Sequence, residues 1–244
     1  MLINNKKNIL ITGSSQGIGL TIAKFFAQKY NIYITGRYED KLKKLCDENN
    51  FAGYCAIDLS KPKSAQRLLS LLNIDIDILI NNAGNYIYSP VEMLENEDIV
   101  SSFMLNSISA LELIKLVTPY MKKQQWGRII NIGSISGIMG EANASLYSMT
   151  KASLVGMTKA LALELAQNGI TVNIINPGWV DTELINNENL EQDFSKDEII
   201  ETIPQRRFVT PEEIAQSCEF LISDKAKSIT GQSINICAGL SLGY

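Results

Sequence analysis

Short runs rich in Ile, Val and Tyr alternate with longer stretches of helical spacing along most of this chain. That alternation restricts the fold more than any other feature. The runs Ile9–Thr12, Ile32–Thr35, Tyr54–Ile57, Ile78–Asn81, Arg128–Ile132, Thr171–Ile175 and Ser233–Ile236 read as strands. Helices are expected near 17–30, 39–49, 62–72, 97–123, 146–167 and 211–222. Thr210 before Pro211 is a helix start, with a hydroxyl at the N-cap and a rigid residue in the first turn. Buried strands separated by helices need right-handed crossovers, which give a parallel sheet covered on both faces. The expected fold class is therefore α/β, a doubly wound parallel sheet of about seven strands. No repeat or Gly/Pro/Ser linker divides the chain, so 1–244 reads as one domain. The least regular part is Trp179–Pro204. So polar a segment between ordered elements is either a disordered loop or a lid over the substrate, around 180–204.

The chain contains no histidine. This excludes Ser-His-Asp and Cys-His hydrolases and any His general base. Catalysis near neutral pH is then left to carboxylates, Lys, Cys or an activated Tyr. The four cysteines form no CxxC pair and read as small buried residues. No His/Cys/carboxylate cluster has ligand spacing, so no metal site is expected. A net charge of −4 argues against nucleic acid or an anionic membrane as partner. Met1–Lys7 lacks an apolar signal core, and no apolar run reads as long enough to span a bilayer. A cytoplasmic protein with reduced thiols is expected.

Between the first strand and first helix stands Thr12-Gly13-Ser14-Ser15-Gln16-Gly17-Ile18-Gly19. Glycines in that place permit a tight turn, close approach of a pyrophosphate, and close helix–sheet packing. The helix N-terminus favours the negative charge. The bland reading is a tight turn at a helix entry. No Lys follows the last Gly, which disfavours a P-loop kinase. The second strand ends in Gly36-Arg37, with no acid until Glu39. An acid there would bind the ribose 2′-hydroxyl of NAD, whereas an Arg pairs with the 2′-phosphate of NADP. NADP(H) is therefore preferred over NAD(H).

Tyr147 and Lys151 lie four apart on a long helical stretch, so phenol and ammonium share one face. A nearby ammonium stabilises a phenolate and gives a histidine-free site a general acid/base. Alone, the pair also fits an amphipathic surface helix. Ser134, just past the fifth strand, and Asn106, within the preceding long helix, stand where both can converge on the C-terminal edge of the sheet.

In order and approximate spacing, Asn106, Ser134, Tyr147 and Lys151 resemble the catalytic tetrad of the short-chain dehydrogenase/reductases, and the Gly-rich turn resembles that family's Rossmann-type cofactor loop. The resemblance runs from Ile9 to about Gly239. It implies that Tyr147 gives or takes the substrate proton and that Ser134 hydrogen-bonds the reacting oxygen. Lys151 would bind the nicotinamide ribose and lower the Tyr147 pKa, and Asn106 would hold a water that continues the proton relay. It assigns Gly13, Ser15, Gly17, Ile18, Gly19 and Arg37 to the cofactor. It places Asp58 and Leu59 at the adenine, though a turn Asp is the plainer reading of Asp58. Asn82, Ala83 and Gly84, from the family's Asn-Asn-Ala-Gly motif, would line the nicotinamide ribose together with Tyr147 and Lys151. Pro177, Gly178, Val180 and Thr182 would meet the nicotinamide itself.

The segment from Ile203 to Ala215 and the tail Asn235 to Leu240 resemble 3-oxoacyl-(acyl-carrier-protein) reductases, acetoacetyl-thioester reductases and polyketide ketoreductases. The implied activity is reduction of a 3-oxoacyl thioester. A polyol, sugar or other secondary-alcohol dehydrogenase is the alternative, and a nucleotide-binding regulator is disfavoured by the intact Tyr147 and Lys151. Arg128 stands where carrier-dependent reductases have an Arg that meets the acyl carrier protein. Asn168 replaces their usual second basic residue, and the 180–204 segment is acidic, so carrier docking is doubtful. The long helices also resemble those that pair in the family's homotetramers, with Leu111, Ile114, Leu154 and Met157 as apolar residues that face either a partner or the sheet.

Overall fold

The computed structural model describes residues 6–182 and 195–242. Seven parallel strands form one sheet in the order β3-β2-β1-β4-β5-β6-β7. They are β1 (Asn8–Ile11), β2 (Asn31–Gly36), β3 (Gly53–Ala56), β4 (Ile78–Asn81), β5 (Gly127–Ile132), β6 (Ile170–Pro177) and β7 (Ser233–Ile236). The order reverses between β1 and β4, and ligands of open α/β sheets bind at the C-terminal ends beside such a switch.

The two faces are separated by the period of two along each strand. Ile9, Ile11, Ile78, Ile80, Ile130 and Ile132 pack on one side against α1 (Gly17–Phe26) and the helix Pro211–Ile222. Leu10, Leu79 and Ile129 pack on the other, against α3 (Ser64–Leu72) and the helix Ser109–Gln124. Both faces being covered explains why the strands read as unbroken apolar runs. Helix α2 (Glu39–Asn49) follows β2.

The long helix expected over 97–123 is three pieces: α4 (Asn96–Phe103), a π-helical turn Met104–Ile108, and α5 (Ser109–Gln124). Contrary to expectation, Asn96–Gln124 is long and apolar enough to cross a bilayer, with a mean hydropathy of 1.4. Its apolar residues Leu113, Ile114, Val117 and Met121 are instead buried against the sheet. Of the residues that could face a partner or the sheet, Ile114 and Leu154 are core, while Leu111 is 47 % exposed. Short α6 (Ser136–Met139) precedes α7 (Ser145–Leu165). The first helix stops at Phe26, and Tyr30 turns back to pack edge-on against that ring at 5.5 Å.

Within the segment expected as a lid, residues 183–194 lie outside the described residues. Its far end is a helix, α8 (Lys196–Thr202), opened by a capping box between Ser195 and Glu198. Helix α9 (Pro211–Ile222) begins at the expected Thr210 cap, whose side chain accepts from the Glu213 N–H. Cys55, Cys218 and Cys237 are buried, and burial pushes the Cys218 thiol up to about 12.

Candidate active site

The turn after β1 is fastened to the end of β4. Thr12 Oγ1 accepts from the Asn82 and Ala83 N–H groups, each at 3.0 Å. Asn82 Nδ2 donates to the carbonyls of Thr12 and Gly13, both at 3.0 Å. The approach is so close that a Cβ on Gly13 would sit 2.7 Å from Ala83 Cα, and one on Gly19 2.5 Å from Asn82 Nδ2. Gly17, at φ +54°, instead opens onto the cleft, with Thr182 at 3.8 Å its nearest neighbour. Helix α1 starts there with no side-chain cap and no acid in its first turn. Uncapped N–H groups facing a bare, open turn suit an anionic pyrophosphate.

At the end of β2, Ser15 packs against Gly36, 3.0 Å from where its Cβ would be, which brings Ser15 next to the exposed Arg37. Helix α2 adds a basic group that the neutral turn did not reveal: Lys41 Nζ donates to Gln16 Oε1 at 3.2 Å. Asp58 forms a turn, accepting from the Ser60 N–H at 2.9 Å and the Ser60 hydroxyl at 2.7 Å. Burial pushes its pKa up, but the Ser60 hydrogen bonds, Lys61 and Arg37 outweigh that and leave it lowered. Leu59 is 4 % exposed and packs into the core.

A cavity of about 470 Å³ lies along the C-terminal ends of β1, β4, β5 and β6. The phosphate-type turn contributes Gly13, Gly17 and Ile18, and β4 contributes Asn82 and Gly84. Ser134, Tyr147 and Lys151 form the wall beyond β5. Pro177 ends β6, and Gly178, Val180 and Thr182 follow it. Thus one cleft joins the expected dinucleotide cradle to the expected catalytic residues. Of the expected site residues, Ser15, Gly19, Arg37, Asp58, Leu59, Ala83 and Asn106 are not part of this wall.

Lys151 is 4 % exposed and its ammonium donates to the Ile132 carbonyl at 2.8 Å. Burial pulls its pKa down to about 8. Tyr147, one turn earlier on α7, has its ring centroid 5.7 Å from Lys151 Nζ. Burial pushes the Tyr147 phenol up to about 12; a hydrogen bond with Ser134 acts downward and the Glu141 carboxylate upward. The phenol therefore carries its proton at neutral pH. Ser134 donates to Ser136 Oγ at 3.0 Å and accepts from the Ser136 N–H at 3.1 Å.

Asn106 sits in the π-helical turn, where an extra residue per turn commonly marks functional positions. Its Oδ1 accepts from the Asn85 N–H at 2.9 Å, and its Nδ2 donates to the Asn85 carbonyl and to Thr150 Oγ1, both at 3.0 Å. One amide hydrogen thereby holds the loop after β4 and the other ties the turn to Thr150 on α7. Across Gly84, the position a Cβ would take is 3.2 Å from Asn106 Oδ1 and 3.4 Å from Lys151 Nζ.

Among the cavity residues that escaped sequence reading are Glu141 and Tyr86. Glu141 Oε1 accepts from the Tyr86 hydroxyl and its Oε2 from the Ser136 hydroxyl, each at 2.6 Å. The Tyr86 ring stands edge-on to Tyr147 at 4.9 Å. The available signal was a lone acid among small residues between β5 and the Tyr147 helix.

Arg128 is only 2 % exposed. Its guanidinium donates to the carbonyls of Gly127 and Gly169 and to Asp224, and it covers the Trp126 ring at 4.4 Å. A side chain held this way does not reach out to a carrier protein, which corrects the docking role raised for it above.

Residues 13–241 match the family model described as enoyl-(acyl carrier protein) reductase. The chain is 37 % identical to the 3-oxoacyl-[acyl-carrier-protein] reductase FabG of Buchnera aphidicola subsp. Schizaphis graminum, over 96 % of this chain and 97 % of that one. It is 35 % identical to the D-beta-hydroxybutyrate dehydrogenase of Cupriavidus necator, over 96 % and 98 %. Among solved structures, an actinorhodin polyketide ketoreductase with NADPH superimposes with a TM-score of 0.91 at 30 % identity, covering 99 % of both chains.

Proposed function

The chain belongs to the short-chain dehydrogenase/reductase family of oxidoreductases, and from that premise we propose that it reduces the ketone of a 3-oxoacyl thioester with NADPH. The observation that carries the reading is the single cleft lined at one end by the glycine turn and at the other by Ser134, Tyr147 and Lys151. The dinucleotide would lie on Gly13, Gly17, Ile18 and Gly19, with Asn82, Ala83 and Gly84 beneath the nicotinamide ribose. Pro177, Gly178, Val180 and Thr182 would border the ring, and Asp58 with the Leu59 main chain the adenine. Arg37 and Ser15, with Lys41 nearby, would take the 2′-phosphate. When bound, the nicotinamide supplies the hydride. Tyr147, protonated at neutral pH, gives its proton to the carbonyl oxygen as negative charge develops there. The Ser134 hydroxyl polarises that oxygen, and Lys151 places a positive charge next to the phenol as it ionises. Asn106 keeps the loop after β4 in register with Lys151.

Initial rates with NADPH and with NADH, using an acetoacetyl thioester as ketone, test this. The expected result is turnover that favours NADPH by about tenfold or more, lost in Arg37→Ser, since a charge-assisted phosphate contact is removed. Equal use of both cofactors overturns the role of Arg37. Silence with both, in protein that binds NADPH, moves the substrate to a polyol, sugar or other secondary alcohol.

The assembly we propose is a homotetramer through the outer faces of α4, α5 and α7. Val100, Leu111, Leu116, Met149 and Leu163 are all exposed there, apolar side chains available to a partner copy. Light scattering should give four times the chain mass; a monomer refutes the assembly.

A further inference from the structure

Glu141 plays no part in the chemistry above, yet it forms part of the cavity wall with Ser134 and Tyr147. Its carboxylate is held from two sides at 2.6 Å, by the hydroxyls of Tyr86 and Ser136. Ser136 in turn accepts from Ser134 at 3.0 Å, so the fixed negative charge stands two hydrogen bonds from the residue that meets the reacting oxygen. Its field reaches the chemistry, since it is one of the groups that raise the Tyr147 pKa, and it raises that of Tyr86 as well. Among the described residues that line the cavity, Glu141 and Lys151 are the charged ones. The Lys151 ammonium is buried and turned onto the Ile132 carbonyl.

We infer that Glu141 restricts the site to acyl groups whose carboxyl is masked as a thioester or ester, and excludes the free 3-oxo acid. The inference rests on the reading that Tyr147 and Ser134 act on a 3-oxoacyl ketone. In a 3-oxo acid the carboxylate is two carbons from that ketone, so binding it productively brings two negative charges into one partly dehydrated cavity. Like charges brought into one cavity repel, and the cation of the described wall, Lys151, is already engaged with the Ile132 carbonyl. A thioester presents the same carbon skeleton with no charge at that place. Phosphates of a coenzyme or carrier arm lie far along the chain from the reacting carbon and escape the effect.

The test compares methyl acetoacetate, the N-acetylcysteamine thioester of acetoacetic acid, and acetoacetate itself, each with NADPH. In the wild-type enzyme kcat/KM for the neutral compounds should exceed that for acetoacetate by about a hundredfold. In Glu141→Gln the ratio should shrink by about tenfold or more, through the KM of acetoacetate, because the amide keeps the shape and one of the two acceptor oxygens but not the charge. Should that variant fail to fold, Glu141→Ala, which removes the same charge, should narrow the same ratio. Comparable use of acid and ester by the wild type, or an unchanged ratio in both arms, overturns the inference while leaving the ketoreductase reading intact. No turnover of any of the three overturns that reading and, with it, the inference.

Discussion

Replacing Tyr147 by Phe should lower kcat by about a thousandfold while NADPH binding stays within a few-fold of wild type. A positioned proton donor typically contributes two to four orders of magnitude, and the phenol is the group in this cavity that holds a proton at neutral pH beside Ser134. The substitution removes little else. The Tyr147 ring packs edge-on against Tyr86 at 4.9 Å, a contact that Phe keeps. Its hydroxyl meets Ser134, which retains its partners at Ser136. Initial rates with a 3-oxoacyl thioester, alongside fluorescence titration with NADPH, measure the two effects separately. A rate within tenfold of wild type would remove Tyr147 from the mechanism, whatever its place in the cleft.

The fold was legible because the central strands are buried on both faces, so each appears as a short apolar run between helical stretches. Ile78–Asn81 and Ser233–Ile236 were placed to the residue. Boundaries failed where tertiary contacts set them. Tyr30 ends the first helix early by folding back on Phe26, and the π-helical turn around Asn106 has no periodicity of its own to announce it. The capping box at Ser195 and Glu198 was present in the sequence but lay inside a segment whose polarity masked it. At the site, residues recognised by fixed spacing were found readily: Tyr147 and Lys151 are one helical turn apart, and the glycine turn is contiguous. Glu141, Tyr86 and Lys41 were not, because each reaches its place through a different element and no short-range pattern links them. Arg128 shows the opposite failure. Its position matched a docking residue, but burial against Trp126 and pairing with Asp224 are properties of the packed chain that a position in sequence does not carry.

Lys151→Met should make the protein more stable and far less active, a combination that a merely structural lysine would not give. The ammonium is 4 % exposed, and its one hydrogen bond in the structure is to the Ile132 carbonyl. Burial holds its pKa down to about 8, against 10.5 for an ordinary lysine. Between those values the unfolded chain binds more protons than the native one, so native stability rises with pH across that window and the cost is fully present below it. That cost is about 3 kcal/mol at pH 7, from the size of the shift. Met fills a similar volume without charge but leaves the Ile132 carbonyl unpartnered, which gives back about 1 kcal/mol. A net gain of about 2 kcal/mol should raise Tm by about 5 °C at pH 7. The advantage should shrink as pH rises from 8 through 10.5, above which the wild-type lysine has shed its proton in both states. Turnover should fall by about a hundredfold or more, because no cation then stands beside the Tyr147 phenol as it ionises. Thermal melts of both proteins at neutral and alkaline pH, with rates at neutral pH, check both effects. A variant that melts below wild type at pH 7 would show that Lys151 stabilises α7 against β5, and would refute the idea that the cleft holds a costly charge for the sake of its chemistry.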